Sequence, residues 1–233
     1  MNRIRILSIA LVAMLCVGFA SCEKDEADEP QSIDPSTPNV GESGVAVSHE
    51  VDLGLSVNWA AWNIGASMPD ELGGYFAWGE TEEKNVYDKF TYKFYDSVYK
   101  NSWCDIGNVI SGTEYDVAHV KWGNGWRMPT REEFQELLDS CTWDRICYKG
   151  VNGDKITGPN GNSIFIPAGG YRYDWTINYV GRSGVYWSGT VEYYNTSDDA
   201  WYLDCNNAHS RMLYSNHERS RGLSVRAVRD KRI

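Results

Sequence analysis

The stretch WRMPTREEFQELLDSC, from Trp126 to Cys141, carries the clearest structural signal in this sequence. Thr130 is followed three residues later by Glu133, which is the spacing of a helix capping box. The apolar residues after this pair recur at helical spacing on one face: Phe134, Leu137, Leu138 and Cys141. The stretch therefore predicts a helix from about Arg131 to Ser140.

Short apolar runs separated by turn signals surround this helix. Turns are predicted at 151–154 and 158–162, because Asn-Gly steps supply the positive backbone angles that tight hairpins require. Strands are predicted at 51–64, 74–78, 155–157, 163–166, 184–190, 200–205 and 223–228. The polar, aromatic and irregular segment 80–114 is typical of a long loop insertion. The sequence therefore predicts an α+β fold with antiparallel sheet.

The composition agrees with a turn-rich fold and disfavours one class of partner. Aromatic residues make up 13% of the chain and glycine occurs 22 times, which is typical of short strands joined by turns. Lys and Arg number 22 against 32 Asp and Glu, a net charge of −10 at pH 7. Because an acidic surface repels phosphate backbones, no nucleic-acid partner is expected.

Residues 1–21 have the order of a secretory signal peptide. Arg3 and Arg5 precede an apolar run over residues 6–17, and small residues follow it. The run is too short for a membrane span, which needs about 20 residues. Phe-Ala-Ser-Cys resembles a bacterial lipobox, with Phe19 where Leu is usual. Cys22 is therefore the expected lipid-attachment residue.

Residues 22–45 are expected to form an acidic, flexible tether, because their composition cannot bury enough apolar surface to fold. The acidic run directly after Cys22 resembles the surface-export signal of Bacteroides-group lipoproteins, and a plain solvated linker is the alternative. Residues 46–233 are long enough for one domain with its own core. The expected location is the outer membrane, exposed at the cell surface and held by the lipid anchor.

Four cysteines lie in the predicted domain: Cys104, Cys141, Cys147 and Cys205. In an exported protein they permit up to two disulfides, in three possible pairings. The sequence contains no Cys-x-x-Cys pair and no Cys/His cluster at zinc-ligand spacing. Packing or disulfide roles are therefore favoured over metal binding, and no metal or other cofactor is expected.

Several long, ordered motifs resemble one known family. They are VDLGLSVNWAAWNIGA (51–66), GYFAWGE (74–80), DVAHVKWGNGWRMPTREEFQELL (116–138), VNGDKITGPNGNSIFIPAGGYR (151–172), YWSGT (186–190) and SVRAVRD (224–230). Together they are similar to the Fibrobacter succinogenes major paralogous domain, which is abundant in gut Bacteroides-group lipoproteins. The resemblance covers Val51 to Asp230 nearly end to end.

The resemblance implies a C-type-lectin-like fold, with a mixed, mostly antiparallel sheet, one or two helices and long loops near the C-terminus. Proteins of this fold bind ligands through such loops. The residues that we expect to contact a protein or glycan ligand lie there: Tyr193, Tyr194, Asn206, Asn207, His209, Arg211, Tyr214, Asn216 and His217. Trp187 and Trp201 have strand contexts that favour the core.

The loop 206–218 also has a composition that suggests sequence diversification. Adenine-directed change of Asn codons gives Asn, His, Ser, Arg, Tyr and Leu, which fit most of its positions. Met212 and Glu218 do not fit. An ordinary solvated loop is the alternative, since it would be polar as well.

Catalysis and calcium binding both lack their expected residues. The related sulfatase modifiers use a cysteine pair in the C-terminal half, where this chain has Cys205 alone, so no catalytic residue is assigned. Lectins of the fold hold calcium through Glu-Pro-Asn or Gln-Pro-Asp and Trp-Asn-Asp. Here Gly158-Pro159-Asn160 lacks the first oxygen ligand, and no Trp-Asn-Asp occurs.

Three hypotheses follow from the sequence. The first is a non-enzymatic binding lipoprotein at the cell surface, the second an enzyme of the sulfatase-modifier type, and the third a structural envelope protein. An ordered, exposed Cys205 in a cleft would favour the enzyme, because a reactive thiol needs a depressed pKa and access. A polar platform formed by residues 206–218 would favour binding.

Overall fold

The computed structural model describes residues 50–98, 102–192, 198–214 and 217–232. In these residues the two helices are α1 (Val117–Trp122) and α2 (Arg131–Ser140). The strands are β1 (Glu50–Val51), β2 (Val57–Ala60), β3 (Tyr95–Asp96), β4 (Ser102–Trp103), β5 (Trp126–Arg127), β6 (Thr142–Tyr148), β7 (Val151–Thr157), β8 (Ser163–Pro167), β9 (Tyr171–Tyr173), β10 (Thr176–Asn178), β11 (Ser183–Val191), β12 (Ala200–Asn206), β13 (Ser210–Leu213) and β14 (Val228–Asp230). Neither helix has the length and apolar character that crossing a bilayer requires.

The named strands pair antiparallel in three larger sheets and two small hairpins. The four-stranded sheet has the order β1-β2-β14-β5, and the three-stranded sheets are β6-β7-β8 and β11-β12-β13. Val228 of β14 lies opposite both Trp59 and Arg127, so the two ends of the domain share one sheet. The hairpins are β3-β4 and β9-β10. Antiparallel sheets with two short helices confirm the predicted α+β class.

Helix α2 begins and ends where the sequence predicts. The Thr130 hydroxyl accepts the Glu133 N–H, and the Glu133 carboxylate accepts the Thr130 N–H at 2.8 Å. This reciprocal pair satisfies two N–H groups that the first helical turn leaves open. Phe134 and Leu137 are buried, and the Phe134 ring lies 5.3 Å from the ring of Trp59 in β2. The apolar face of α2 therefore packs on the four-stranded β1-β2-β14-β5 sheet.

Several predicted strands are confirmed, and one predicted turn is wrong. Residues 163–166, 184–190 and 200–205 lie within β8, β11 and β12. The predicted turn at 151–154 is part of β7 instead, and the chain turns at Lys149 and Gly150, which both have positive φ. Glycine is required at position 153 of this strand because a Cβ there would come within 2.4 Å of the Ile166 carbonyl oxygen. A close approach of backbone, and not a turn, requires this glycine.

Other predicted strands form only in part. Residues 51–64 contain the short strands β1 and β2, and residues 74–78 contribute one bridge, between Phe76 and Leu223. In 223–228 only Val228 belongs to a named strand. Strand β6 and helix α1 were not predicted. The segment 80–114 is largely irregular in its described residues, as predicted, with one short hairpin.

Buried aromatic rings are tied to backbone carbonyls between the elements. Trp78 donates its indole N–H to the Ser188 carbonyl and Trp187 donates to the Phe76 carbonyl, each at 2.9 Å. Both tryptophans are fully buried in one apolar cluster. A buried indole N–H needs such an acceptor. The core is therefore fixed by directed bonds as well as by apolar contact.

Arg226 is an arginine enclosed by the core. Its guanidinium donates to the Asn63 side-chain oxygen at 2.8 Å, the Ala60 carbonyl at 3.0 Å and the Phe165 carbonyl at 2.9 Å. Burial lowers the pKa of Arg226 to about 10, so it stays charged at neutral pH. A buried charge is tolerated only where hydrogen bonds satisfy it. Arg226 thus joins the segment after β2 to β8.

We expect Arg226→Met to lower the free energy of unfolding by about 3 kcal/mol or more, because it leaves three buried acceptors without their donor at about 1–3 kcal/mol each. Urea unfolding followed by tryptophan fluorescence measures this change. The control is Arg182→Met, an exposed arginine, which should change stability by less than about 0.5 kcal/mol. Equal midpoints for both variants would contradict the role given to Arg226.

Candidate binding groove

The segment predicted as a polar C-terminal loop forms a hairpin over most of its described length. Strand β12 extends to Asn206 and β13 begins at Ser210, so only Asn207 to His209 make the turn. The Asn206 side-chain oxygen accepts the N–H of Ala208 at 2.9 Å and of His209 at 3.3 Å. Asparagine bonding to its own backbone in this way closes tight turns. The turn therefore holds a defined shape.

A groove with a volume of about 600 Å³ lies beside this hairpin. Helix α2, strand β6, strand β7 and the hairpin contribute its lining: Gln135, Leu138, Asp139, Trp143, Arg145, Asp154, Asn206, Asn207, Ala208, His209, Ser210, Arg211 and Met212. Four of the residues that the sequence analysis selected are among them. These four are Asn206, Asn207, His209 and Arg211, and Asn207 and Arg211 are exposed.

An ion pair lies along one wall of the groove. The Arg145 guanidinium contacts the Asp154 carboxylate at 2.8 Å and donates to the Arg182 carbonyl at 3.0 Å. Asp154 is buried, and burial raises the pKa of its carboxyl against the opposing effect of Arg145. A charge pair that is bonded on both sides stays in one geometry. Arg145 is thus an oriented hydrogen-bond donor rather than a mobile side chain.

Asp204 organises the polar side chains of the hairpin. Its carboxylate accepts the Ser183 hydroxyl at 2.7 Å and the Asn206 amide at 3.2 Å, and it lies 3.5 Å from His209 Nε2. Asn206 Nδ2 is also 3.1 Å from His209 Nε2. Asn206 and His209 are therefore held by a shared network. Such positioning reduces the entropy that a ligand must overcome.

The groove contains one partly exposed indole, which sequence analysis did not select. Trp143 in β6 packs against the buried cluster that contains Trp59 and Phe134, and it also lines the groove. Trp143 and Arg145 are two residues apart, so they project from the same face of β6. This alternation in TWDRICY was the available signal. It was missed because β6 itself was not predicted.

His217 is buried rather than presented to a ligand, which corrects the sequence expectation. Its side chain is 8% exposed and packs against the rings of Tyr171 and Tyr202, with centroids at 4.2 and 4.8 Å. Burial, and then the nearby Arg221, lower the pKa of His217 to about 4. The ring is therefore neutral at physiological pH. Its role in the described chain is packing.

The other predicted contacts are not part of the groove. Tyr214 is exposed and packs edge-on against Trp201, with ring centroids 4.8 Å apart. The Arg131 guanidinium lies 4.1 Å from the Trp201 ring, which is partly exposed. Trp187 is fully buried, as its strand context predicted. Cys22, Tyr193, Tyr194 and Asn216 lie outside the described residues.

The cysteines of the domain are not joined to one another. Cys104, Cys141 and Cys205 are free, so none of the three pairings considered from the sequence is formed. Cys205 is fully buried, its Sγ contacts the Gly184 carbonyl at 3.2 Å, and burial raises its pKa. Its thiol is therefore protonated and inaccessible. Across the described ranges, no three His, Cys, Asp or Glu side chains are grouped to hold a metal ion.

The low pKa of His217 makes stability depend on pH. In the unfolded chain the ring takes up a proton near pH 6.5, whereas the folded chain resists protonation down to about pH 4. The free energy of unfolding therefore has its full value above pH 6.5 and decreases as the pH falls toward 4, because only the unfolded chain takes up the proton in that range. We expect wild type, relative to His217→Phe, to lose about 2–3 kcal/mol of unfolding free energy between pH 7.5 and 4.5. Urea titrations at both pH values test this, and parallel pH curves would contradict it.

No protein-family model matches this chain, and neither a curated protein nor a solved structure matches it. The α+β class therefore stands on the sheets and helices described above. The resemblance to the Fibrobacter succinogenes major paralogous domain, and the C-type-lectin-like fold that it implies, remain expectations from the sequence motifs. The groove is the feature from which a function can be argued.

Proposed function

We propose that this chain is a lipoprotein, anchored at the cell surface, that binds a protein or glycan ligand without enzymatic activity. The observation that carries the proposal is the convergence of Asn206, Asn207, His209 and Arg211 on one groove of about 600 Å³. Ligand sites are concave and combine apolar surface with a few oriented polar groups. Here Trp143 supplies apolar surface, and the hairpin supplies the oriented polar groups.

The hairpin has the properties of a recognition surface. The Asn206 side chain fixes the backbone of the turn and bonds to Asp204, while Asn207 and Arg211 are exposed. Exposed polar side chains on a fixed support can be exchanged without loss of stability. This is the arrangement that a diversified display protein requires, and it is the more specific form of the proposal.

The burial of Cys205 argues against the sulfatase-modifier alternative. A catalytic thiol must ionise and reach its substrate. Here the thiol has no exposed surface, and its pKa is raised by burial. The third alternative, a structural envelope protein, is distinguished by a binding experiment. It predicts no ligand for the groove.

The proposed anchor rests on the sequence of residues 1–45. The lipobox-like Phe-Ala-Ser-Cys and the acidic run after Cys22 support attachment to the outer membrane and export to the cell surface. Several acyl chains together anchor firmly, since each buried methylene contributes about 0.8 kcal/mol.

The groove assignment predicts loss of binding when its exposed contacts are removed. We expect Asn207→Ala combined with Arg211→Ala to lower the affinity for every ligand found on glycan and host-protein arrays by at least about tenfold, or 1.4 kcal/mol. The matched control is Asn85→Ala combined with Arg232→Ala, which removes the same residue types from exposed positions outside the groove. Equal binding by both double variants would overturn the groove assignment. A chelator arm reports any dependence on metal.

The anchor predicts a change in acylation and in cell fractionation. Cys22→Ala should abolish labelling by a radioactive fatty acid and release the chain from the membrane fraction, because the attachment thiol is gone. Cys16→Ala is the control, since Cys16 lies in the apolar run of the leader. Labelling that survives Cys22→Ala would refute the lipoprotein proposal.

A further inference from the structure

The β9-β10 hairpin and the turn after it expose an unusual amount of apolar surface. Five of the eleven exposed large hydrophobic side chains in the described chain lie in these few residues: Tyr173, Trp175, Ile177, Tyr179 and Val180. Trp175, in the turn of the hairpin, is 72% exposed. We call these five residues the aromatic ridge. Clustered exposed apolar residues on a soluble domain mark interaction sites.

The ridge is held in place by the residues beneath it. The Arg221 guanidinium lies 3.9 Å from the centre of the Tyr173 ring, and Tyr179 stacks on Tyr171 at 5.9 Å. The Arg172 N–H donates to the Gly222 carbonyl at 2.7 Å. The rings of Tyr173 and Tyr179 are therefore held by packing. A fixed ring loses little entropy when a ligand covers it.

The ridge adjoins the groove at its Val180 end. The backbone after Val180 passes directly to Gly181 and Arg182, whose carbonyls accept hydrogen bonds from side chains of β6 and β7. Arg182 receives the Arg145 guanidinium at 3.0 Å, and Gly181 receives the Asn152 amide at 3.2 Å. Arg145 itself lines the groove. Arg145 of the groove therefore contacts the backbone that directly follows Val180, so the groove adjoins the Val180 end of the ridge.

The charges of the groove lining favour a neutral ligand. Its two arginines, Arg145 and Arg211, are matched in number by the carboxylates of Asp139 and Asp154, and Arg145 pairs directly with Asp154. The chain as a whole carries −10, which repels acidic polymers. Nine of the thirteen groove-lining side chains are polar, whereas protein partners anchor in apolar, desolvated pockets. A sugar ring has a rim of hydroxyls that suits the polar groove and an apolar C–H face that suits the aromatic ridge.

We infer that the groove and the ridge together bind one neutral oligosaccharide chain, with the groove holding one end and Trp175 stacking on a sugar ring further along. This inference rests on the proposed binding function of the groove and deepens it. Amide, guanidinium and carboxylate groups bond to the hydroxyls in the groove. On the ridge the rings of Trp175 and Tyr179 cover the apolar faces of the sugars.

The test uses the full chain in mild detergent and isothermal titration calorimetry. The probes are malto-, cello-, xylo- and manno-oligosaccharides, each as a disaccharide and a hexasaccharide. For a sugar that wild type binds, Trp175→Ala should lower the affinity for the hexasaccharide by about tenfold, or 1.4 kcal/mol, and leave the affinity for the disaccharide unchanged. Asn207→Ala should weaken both lengths. The matched control is Phe90→Ala, which removes an aromatic ring that is 71% exposed elsewhere, and it should change neither.

The possible outcomes separate this inference from the proposed function. If no hexasaccharide binds, but a protein ligand binds and is lost in the Asn207→Ala, Arg211→Ala variant, the oligosaccharide inference is overturned and the groove function stands. If a hexasaccharide binds equally to wild type and Trp175→Ala, the ridge is not part of the site. If binding is insensitive to every groove substitution, the proposed function fails as well.

Discussion

The buried guanidinium of Arg226 is the constraint on which the arrangement of the domain depends. A charge removed from water must be satisfied by fixed polar groups, and here these are the Asn63 side chain and the carbonyls of Ala60 and Phe165. They belong to the end of β2, the segment after it, and β8. Because these groups are far apart along the chain, they meet around the arginine only when the segments that carry them pack together. The four-stranded β1-β2-β14-β5 sheet and the β6-β7-β8 sheet are thereby held together.

The groove follows from this arrangement because its walls come from distant parts of the chain. Trp143 and Arg145 lie on β6, Asp154 lies on β7, and the hairpin follows β12. The Arg145–Asp154 pair links neighbouring strands directly opposite each other, and the Arg145 bond to the Arg182 carbonyl reaches the start of β11. Asp204 then connects β12 to Ser183 at the start of β11. Each groove element is therefore bonded to one that the core already fixes.

The parts of this structure that the sequence predicted are those set by local interactions. Helix α2 depends on Thr130, Glu133 and an apolar face within ten residues, and its bounds are confirmed. The turn predicted at 151–154 is wrong for a tertiary reason, because Gly153 is needed to let the Ile166 carbonyl of a neighbouring strand approach closely. The groove shows the same division. Its hairpin residues were selected from their polarity, whereas Trp143 and Arg145 join them only through folding, and the burial of His217 depends on rings from β9 and β12.

The hairpin separates residues that maintain structure from residues that are free to vary. Asn206 closes the turn and bonds to Asp204, so replacing it would release both the turn and the network around His209. Asn207 and Arg211 are exposed on the same hairpin. Further along, His217 and Arg219 are buried against aromatic rings. A segment that looks uniformly polar in sequence is therefore divided by its contacts. Variation that preserves the fold is confined to the turn and the outward face of β13, where the groove is open to a ligand.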